Sequence, residues 1–307
     1  MFNALFLTIG AFEFCLLLFF FTFLMQSAIL AFTLAVLFLT FFSYFILRMY
    51  FQTRKPEQFE ELKDLYVSAC KTHIQYDTKT PEHHLELAHA CAKLAGSLQN
   101  REANLYQPPE WLKWLTPYLG RISSWCHWYD VHHMQEILHQ EAIKEHINLV
   151  KREPTSMAVH AALANAYIML SGLYSEPHQD EEHAAPAARY APMLQQKFRQ
   201  TAERAIEEFK ILNSFAPDDP WVHAQLAYSY RDLKMPLEEI RAYEILLKLN
   251  PDDKDTLFKL GTRYFQQGMN AQGLKIYEQL RRFDSKRAND LISFYGAVST
   301  IQASGNG

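Results

Sequence analysis

Apolar residues fill the first 47 positions, with no Lys or Arg among them and a single acidic residue, Glu13. One helix needs about 20 apolar residues to cross a hydrocarbon core. The run from Phe2 to Leu47 is long enough for two such helices. It predicts spans at about Leu5 to Leu24 and Ile29 to Leu47, with the turn at the adjacent polar pair Gln26-Ser27. A cleaved signal peptide would carry a basic leading segment and a much shorter apolar stretch, so a transmembrane hairpin over residues 1–50 fits better. Arg48, Arg54 and Lys55 follow the run directly. By the positive-inside rule they put the remainder of the chain on the cytoplasmic side, and a hairpin brings the N-terminus there too. The expected location is a bacterial inner membrane with the soluble part cytoplasmic. Glu13 falls near the middle of the first span, where an ionisable side chain is costly and calls for a partner on the second helix or on a second copy.

Beyond residue 50 the pattern changes to charged residues at helical spacing, with few glycines, which predicts an all-α soluble part. A linker and capping helix is expected over residues 51–78. Its helix, from about Pro56 to Ile74, lines Phe59, Leu62, Leu65, Tyr66 and Ala69 along one stripe. Towards the C-terminus, residues 220–251 and 254–285 align without gaps at a spacing of 34 positions. Leu226-Ala227, Tyr230, Tyr243, Leu246 and Pro251 in the first segment answer to Leu260-Gly261, Tyr264, Tyr277, Leu280 and Ser285 in the second.

This spacing resembles the tetratricopeptide (TPR) family. In such a unit a small residue lets two helices approach, aromatics fill the space between successive pairs, and a closing Pro stops the second helix. Glu239 departs from the pattern at the close helix crossing, where the family favours Ala and where Gly273 stands in the next repeat. Two split repeats are predicted upstream. Leu163-Ala164 and Tyr167 open one that Ala205, Phe209, Leu212 and Pro217 close. Leu87-Ala88 and Cys91 open another that Ala142, His146, Leu149 and Pro154 close. The expected architecture is therefore an N-terminal two-helix transmembrane hairpin followed by a TPR-like α-solenoid. The solenoid runs over residues 79–286 with insertions at about 99–130 and 172–192. A C-terminal capping helix, about Ala288 to Gln302, lies within residues 287–307.

Composition adds mostly exclusions. The formal net charge is -4, which gives no electrostatic footprint for nucleic acid. The four cysteines, Cys15, Cys70, Cys91 and Cys126, contain no CxxC pair, so neither a disulfide scaffold nor a zinc ribbon is expected. No HExxH, GxSxG, P-loop or GxGxxG pattern occurs, and no enzymatic activity, cofactor or metal is expected. Two Glu-x-x-His pairs, Glu86/His89 and Glu136/His139, have the spacing of bundled di-iron ligands. The core phase set by Leu87, Cys91 and Leu94 turns Glu86 and His89 to water instead, and most of the thirteen histidines are expected to be solvated surface residues. A second His cluster, His127, His132 and His133 beside Cys126, has irregular spacing.

Two surfaces remain as candidates for binding. The first helices of the repeats should form a concave groove lined by Asn165, Trp221, Tyr228, Arg231, Phe258 and Phe265. Family members that clamp carboxylates use Lys, Asn and Arg at such places, and only Asn165 matches, so the groove suits an apolar peptide or an amphipathic helix of a partner protein. Packing of these aromatics against the capping helix is the alternative. The second surface is the Trp-rich segment from Pro108 to Tyr129, with Trp111, Trp114, Trp125 and Trp128, whose residue types suit a membrane–water boundary, a flap over the first groove or an anchor for a partner protein.

These features point to a membrane-anchored scaffold or assembly factor, with other proteins and lipid as partners. Three rival readings stay open. One is a subunit of an envelope-biogenesis machine of the cytochrome-maturation type. Another is an inclusion-membrane protein, to whose bilobed hairpin the N-terminus is similar. The third is a metal-dependent enzyme.

Overall fold

The computed structural model describes residues 2–19, 28–78, 80–105, 108, 110–175 and 190–304. Every regular element among them is helical. The chain divides into a first unit, Met1–Tyr66, and a second, Val67–Gly307.

The first unit holds α1 (Phe2–Phe19) and the greater part of α2 (Ala28–His73). The side chains of the two helices meet in antiparallel order. Phe6 lies 5.5 Å from the ring of Tyr44, Gly10 faces Phe41, and the Thr40 hydroxyl donates to Glu13 Oε1 at 3.0 Å. Glu13 thus finds its partner on the second helix. The large apolar side chains of both helices point outwards, Phe12, Phe19, Phe32 and Phe38 among them. By length and composition α2 can cross a membrane, while α1 contributes a shorter apolar helix. The predicted turn at Gln26-Ser27 lies outside the described residues. The expected break between the second span and the capping helix is corrected: α2 is one helix of 46 residues that runs through Pro56. Proline removes one backbone hydrogen bond and crowds the preceding turn. Good helix formers on both sides, such as Arg54, Lys55, Glu57 and Gln58, carry the helix across.

In the second unit each helix packs on its successor: α3 (Pro81–Ser97), α4 (Thr116–Arg152), α5 (Met157–Ser175), α6 (Ala191–Phe215), α7 (Pro220–Asp232), α8 (Pro236–Leu249), α9 (Lys254–Gln266), α10 (Asn270–Phe283) and α11 (Ser285–Ser304). Two short 3-10 turns, Glu102–Asn104 and Glu110–Leu115, precede α4. Helix α5 is also apolar enough to cross a membrane, yet Leu163, Ala164, Leu170 and Tyr174 bury it in the repeat core.

The 34-residue period is written into the backbone. Asp219 caps α7 by accepting from the Trp221 N–H at 2.9 Å, and Asp253 caps α9 by accepting from the Asp255 N–H at 3.1 Å. The turn inside each pair closes with Met235 N–H donating to the Tyr230 carbonyl and Met269 N–H to that of Tyr264. Lys234 (φ 57°) and Gly268 (φ 72°) take the left-handed residue of that turn. The core is continuous between pairs: Phe209, Leu212, Val222, Ala227, Tyr243, Leu260 and Tyr264 belong to one cluster. Helix α11 packs on α9 and α10 and covers the last pair through Ala288 and Leu291. The helix pairs are therefore TPR-like.

Two expected boundaries shift. Residues 116–130, taken as part of an insertion, form the opening turns of α4, which runs unbroken for 37 residues. Of the second insertion, residues 176–189 lie outside the described residues, and both flanks are helical.

Candidate functional site

The predicted groove residues lie on the first helices α5, α7 and α9, and the structure treats these residues unequally. Asn165 and Arg231 are exposed. Trp221 stays 41% exposed, its ring edge-on to buried Phe209 at 5.9 Å. Tyr228 is half-buried and held between two cations. Lys259 Nζ lies 4.9 Å from the ring centre and donates to Tyr228 Oη at 3.1 Å, while the Arg231 guanidinium lies 5.3 Å from the same ring. Such contacts hold an aromatic ring open to solvent without hiding it. Phe258 is half-buried against the cluster of Leu257, Leu280 and Leu291. Phe265 is fully buried between Gly273 and Tyr295, whose ring is 4.6 Å away. It belongs to the core and is no groove residue. The capping helix fills the place that the next repeat would take.

Lys259, one residue out of the groove phase read from the sequence, is the member the sequence did not single out. Its long side chain swings back to the neighbouring helix, and the period alone carries no signal of that. Below the groove, Glu239 is buried at the helix crossing, and its Oε1 accepts from Arg263 Nε at 2.8 Å. Burial raises the pKa of Glu239 even though Arg263 opposes the shift.

The histidine and glutamate motifs resolve into packing roles. Glu86 and His89 are exposed. Glu136 is buried among α4, α5 and α6, accepting from Lys197 Nζ at 2.6 and 2.8 Å and from Tyr174 Oη at 2.9 Å. Burial alone would raise its pKa, but hydrogen bonds from His133, Lys197 and Tyr174 outweigh this and bring it down to about 2. His132 stacks on Trp128 at 4.7 Å, and burial pushes its pKa down to about 4. The expectation of mostly surface histidines is corrected for His83, His132, His146, His160 and His223, which are buried. Two of these repeat one another: His160 and His223 each bond through Nε2 to the carbonyl of the proline that closes the previous helix, Pro154 at 3.0 Å and Pro217 at 2.7 Å. Among the described residues no group of three or more His, Cys, Asp or Glu is placed to hold a metal ion.

The Trp-rich segment splits in two. Trp114 and Trp125 are exposed, whereas Trp128 turns into the core between His132 and Tyr190 and is no surface residue. The side chain of Trp111 lies outside the described residues.

No protein-family model matches the chain, and no curated protein matches it in sequence. Among solved structures it is similar to a thermophilic TPR protein of Thermus thermophilus, TTC0263, at 16% identity over 81% of this chain and 98% of that one, with a TM-score of 0.36. It is also similar to the TPR2AB domain of yeast Sti1 in a complex with pHSP90, at 13% identity over 67% and 99%, with a TM-score of 0.29. The human IFIT1 dimer with PPP-AAAA follows at 15% identity over 84% and 69%, with a TM-score of 0.27. At these overlaps the repeat assignment rests on the internal 34-residue geometry.

Proposed function

We propose that the chain is a membrane-anchored recognition protein that acts by binding and catalyses nothing. The N-terminal helix pair holds it in a bilayer, and the side shared by α5, α7 and α9 grips a segment of another protein. The observation that carries this reading is the Tyr228 cluster. Tyr228 stays accessible and is fixed in place by Arg231 and Lys259, with exposed Trp221 two turns earlier on the same helix. A rigid, half-exposed aromatic beside two cations is the composition of an interface anchor. With Trp221 and Asn165 alongside, it suits an amphipathic helix or an extended peptide. Anchoring is supported by apolar, outward-facing side chains on α1 and α2, a surface that water does not tolerate at this size. Arg48, Arg54 and Lys55 put the repeats on the cytoplasmic side. Confinement to two dimensions raises the effective concentration of a partner held in the same membrane. No cofactor, metal or nucleic-acid partner enters this reading.

The test places a photo-crosslinking amino acid at Tyr228 of the full chain in its own membrane, with Leu274 on the second-helix side as the comparison site. A discrete protein adduct at 228 that is missing at 274 supports the groove. Equal adducts at both sites, or none at 228, sink it. C-terminal fusions to a fluorescent protein and to a phosphatase active only outside the cytoplasm test the sidedness. Phosphatase activity would reverse the orientation.

A further inference from the structure

The opening turns of α4 present a surface that the groove reading does not use. Tyr118, Ile122, Trp125 and Tyr129 fall within about 30° of one line down the helix, and Trp114 precedes them in the adjoining 3-10 turn. Their exposures are 60%, 51%, 69% and 38%, with Trp114 at 68%. Trp128, off that line, is 8% exposed. At the line's lower end Tyr129 stacks on Tyr190 at 4.7 Å; above it Trp114, Tyr118, Ile122 and Trp125 form an open apolar, aromatic face.

Three features say what this face meets. The first is residue type: four of these five are Trp or Tyr, which combine an apolar ring with a polar atom and concentrate at the headgroup level of bilayers. The second is width: a single narrow stripe wets only one side of the helix, which suits shallow burial parallel to a membrane surface. The third is charge. Between Thr116 and Tyr129 there is no acidic residue, and the one Lys or Arg is Arg121, exposed and one position before Ile122 at the edge of the stripe. Glu110, in the preceding turn, is matched by Lys113 at 3.5 Å. Asp130, one position past the stripe, pairs with His127 at 3.6 Å, so the stripe itself carries no acidic side chain that anionic headgroups would repel.

We propose that this stripe lies in the headgroup region of a lipid bilayer, as a second membrane contact of the repeat unit. The inference rests on the anchored reading, because the hairpin supplies the confinement that lets so small a contact hold.

The experiment uses the full chain reconstituted in vesicles of phosphatidylcholine and phosphatidylglycerol in equal parts, with acyl chains brominated near the headgroup end. Tryptophan quenching is the readout. With two of the five tryptophans at the interface, wild type should lose up to about two-fifths of its emission. The double variant Trp114→Phe, Trp125→Phe should lose most of that quenching while keeping its helical circular dichroism. Quenching should weaken in phosphatidylcholine alone. Carbonate-resistant vesicle association with unquenched wild-type emission overturns the stripe and leaves the anchor standing. Failure to associate with vesicles at all overturns the anchor and the stripe together. Unquenched emission with oxidative crosslinking between chains through exposed Cys126 overturns the lipid contact in favour of a second copy on this face.

Discussion

Gly273 stands at the point where α10 crosses α9, and replacing it with alanine measures how tight that crossing is. A Cβ added there would lie 2.5, 2.7 and 2.9 Å from three ring carbons of Phe265. The ring is fully buried and backed by the tilted ring of Tyr295 at 4.6 Å, so it has little free volume to retreat into. Overpacking of this kind costs about 1–3 kcal/mol, and the gain in helix propensity from Gly to Ala returns up to about 1 kcal/mol. The net expectation is a loss of about 1–2 kcal/mol, which for a unit of this size lowers the melting temperature by roughly 2–8 °C. Thermal circular dichroism of the detergent-solubilised chain reads the shift. Two glycines calibrate it. At Gly261 the Cβ would meet the tip of Leu291 at 2.6 Å, a flexible end that can rotate away, so Gly261→Ala should cost less. At Gly296 nothing lies within 4 Å, so Gly296→Ala should raise the melting temperature. Phe265→Leu should restore part of the stability lost in Gly273→Ala, because it removes the atoms the methyl strikes. If Gly273→Ala stabilises as Gly296→Ala does, the close approach of α9 and α10 is wrong, and with it the packing of the last repeat.

Acid should loosen the repeat unit before it reaches the carboxylate range. His132 is held neutral by burial down to about 4 against its ordinary 6.5. The unfolded chain therefore binds the extra proton first, and stability falls as pH drops through this window by up to about 3 kcal/mol. His139 and His146 are shifted in the same direction. His132→Phe should flatten the unfolding free energy between these pH values; an unchanged slope would clear His132 of the effect. Glu136 acts lower, its contribution fading only as pH falls from 4.5 towards about 2. The Glu239–Arg263 pair should respond asymmetrically. Arg263→Ala strands a buried carboxylate and should cost about 3–5 kcal/mol, whereas Glu239→Ala frees a partly exposed guanidinium and should cost far less. Equal losses in chemical denaturation would mean that Glu239 is solvated. Asp219→Ala and Asp253→Ala each remove an N-cap and should cost about 1 kcal/mol, read by the same denaturation curves; a loss in only one of them would break the equivalence of the two repeats.

The period was legible because its causes are local. Leu-small pairs, the aromatic at the next turn and the closing proline each solve a packing problem that recurs every 34 residues, and the backbone bonds of Met235 and Met269 recur with them. The long helices were not legible. Pro56 and the polar residues around it read as a boundary, but proline forbids only one hydrogen bond, and the turns on either side were strong enough to pass it. The groove was legible in phase and not in occupancy. Phe258 and Phe265 stand at groove positions of α9, yet α11 packs against that helix, and its Leu291 and Tyr295 occupy the space beside them. Helical phase states which way a side chain points; only the neighbouring element decides whether that direction is solvent.

Helix α4 carries the same lesson to the membrane. The line through Tyr118, Ile122, Trp125 and Tyr129 continues at helical spacing to His132 and Glu136, so one face of one helix runs through both halves. Along it burial and polarity are inverted. The aromatic half faces outwards, while His132 and Glu136 are buried beneath α5 and α6. In a protein surrounded only by water, the hydrophobic effect would cover the aromatic half and leave the ionisable half wet. In the buried half Lys197 and Tyr174 satisfy Glu136, while His132 stacks on Trp128 and keeps its Nε2 buried without a hydrogen-bond partner among the described residues, a cost of burial that holds its ring neutral. In the exposed half Tyr129 stacks on Tyr190 at 4.7 Å, but Trp114, Tyr118, Ile122 and Trp125 stay exposed among the described residues, and a medium less polar than water on that side would account for them. A bilayer surface is that medium if the hairpin is an anchor, so the quenching of Trp114 and Trp125 tests the face, and carbonate-resistant vesicle association tests the anchor separately.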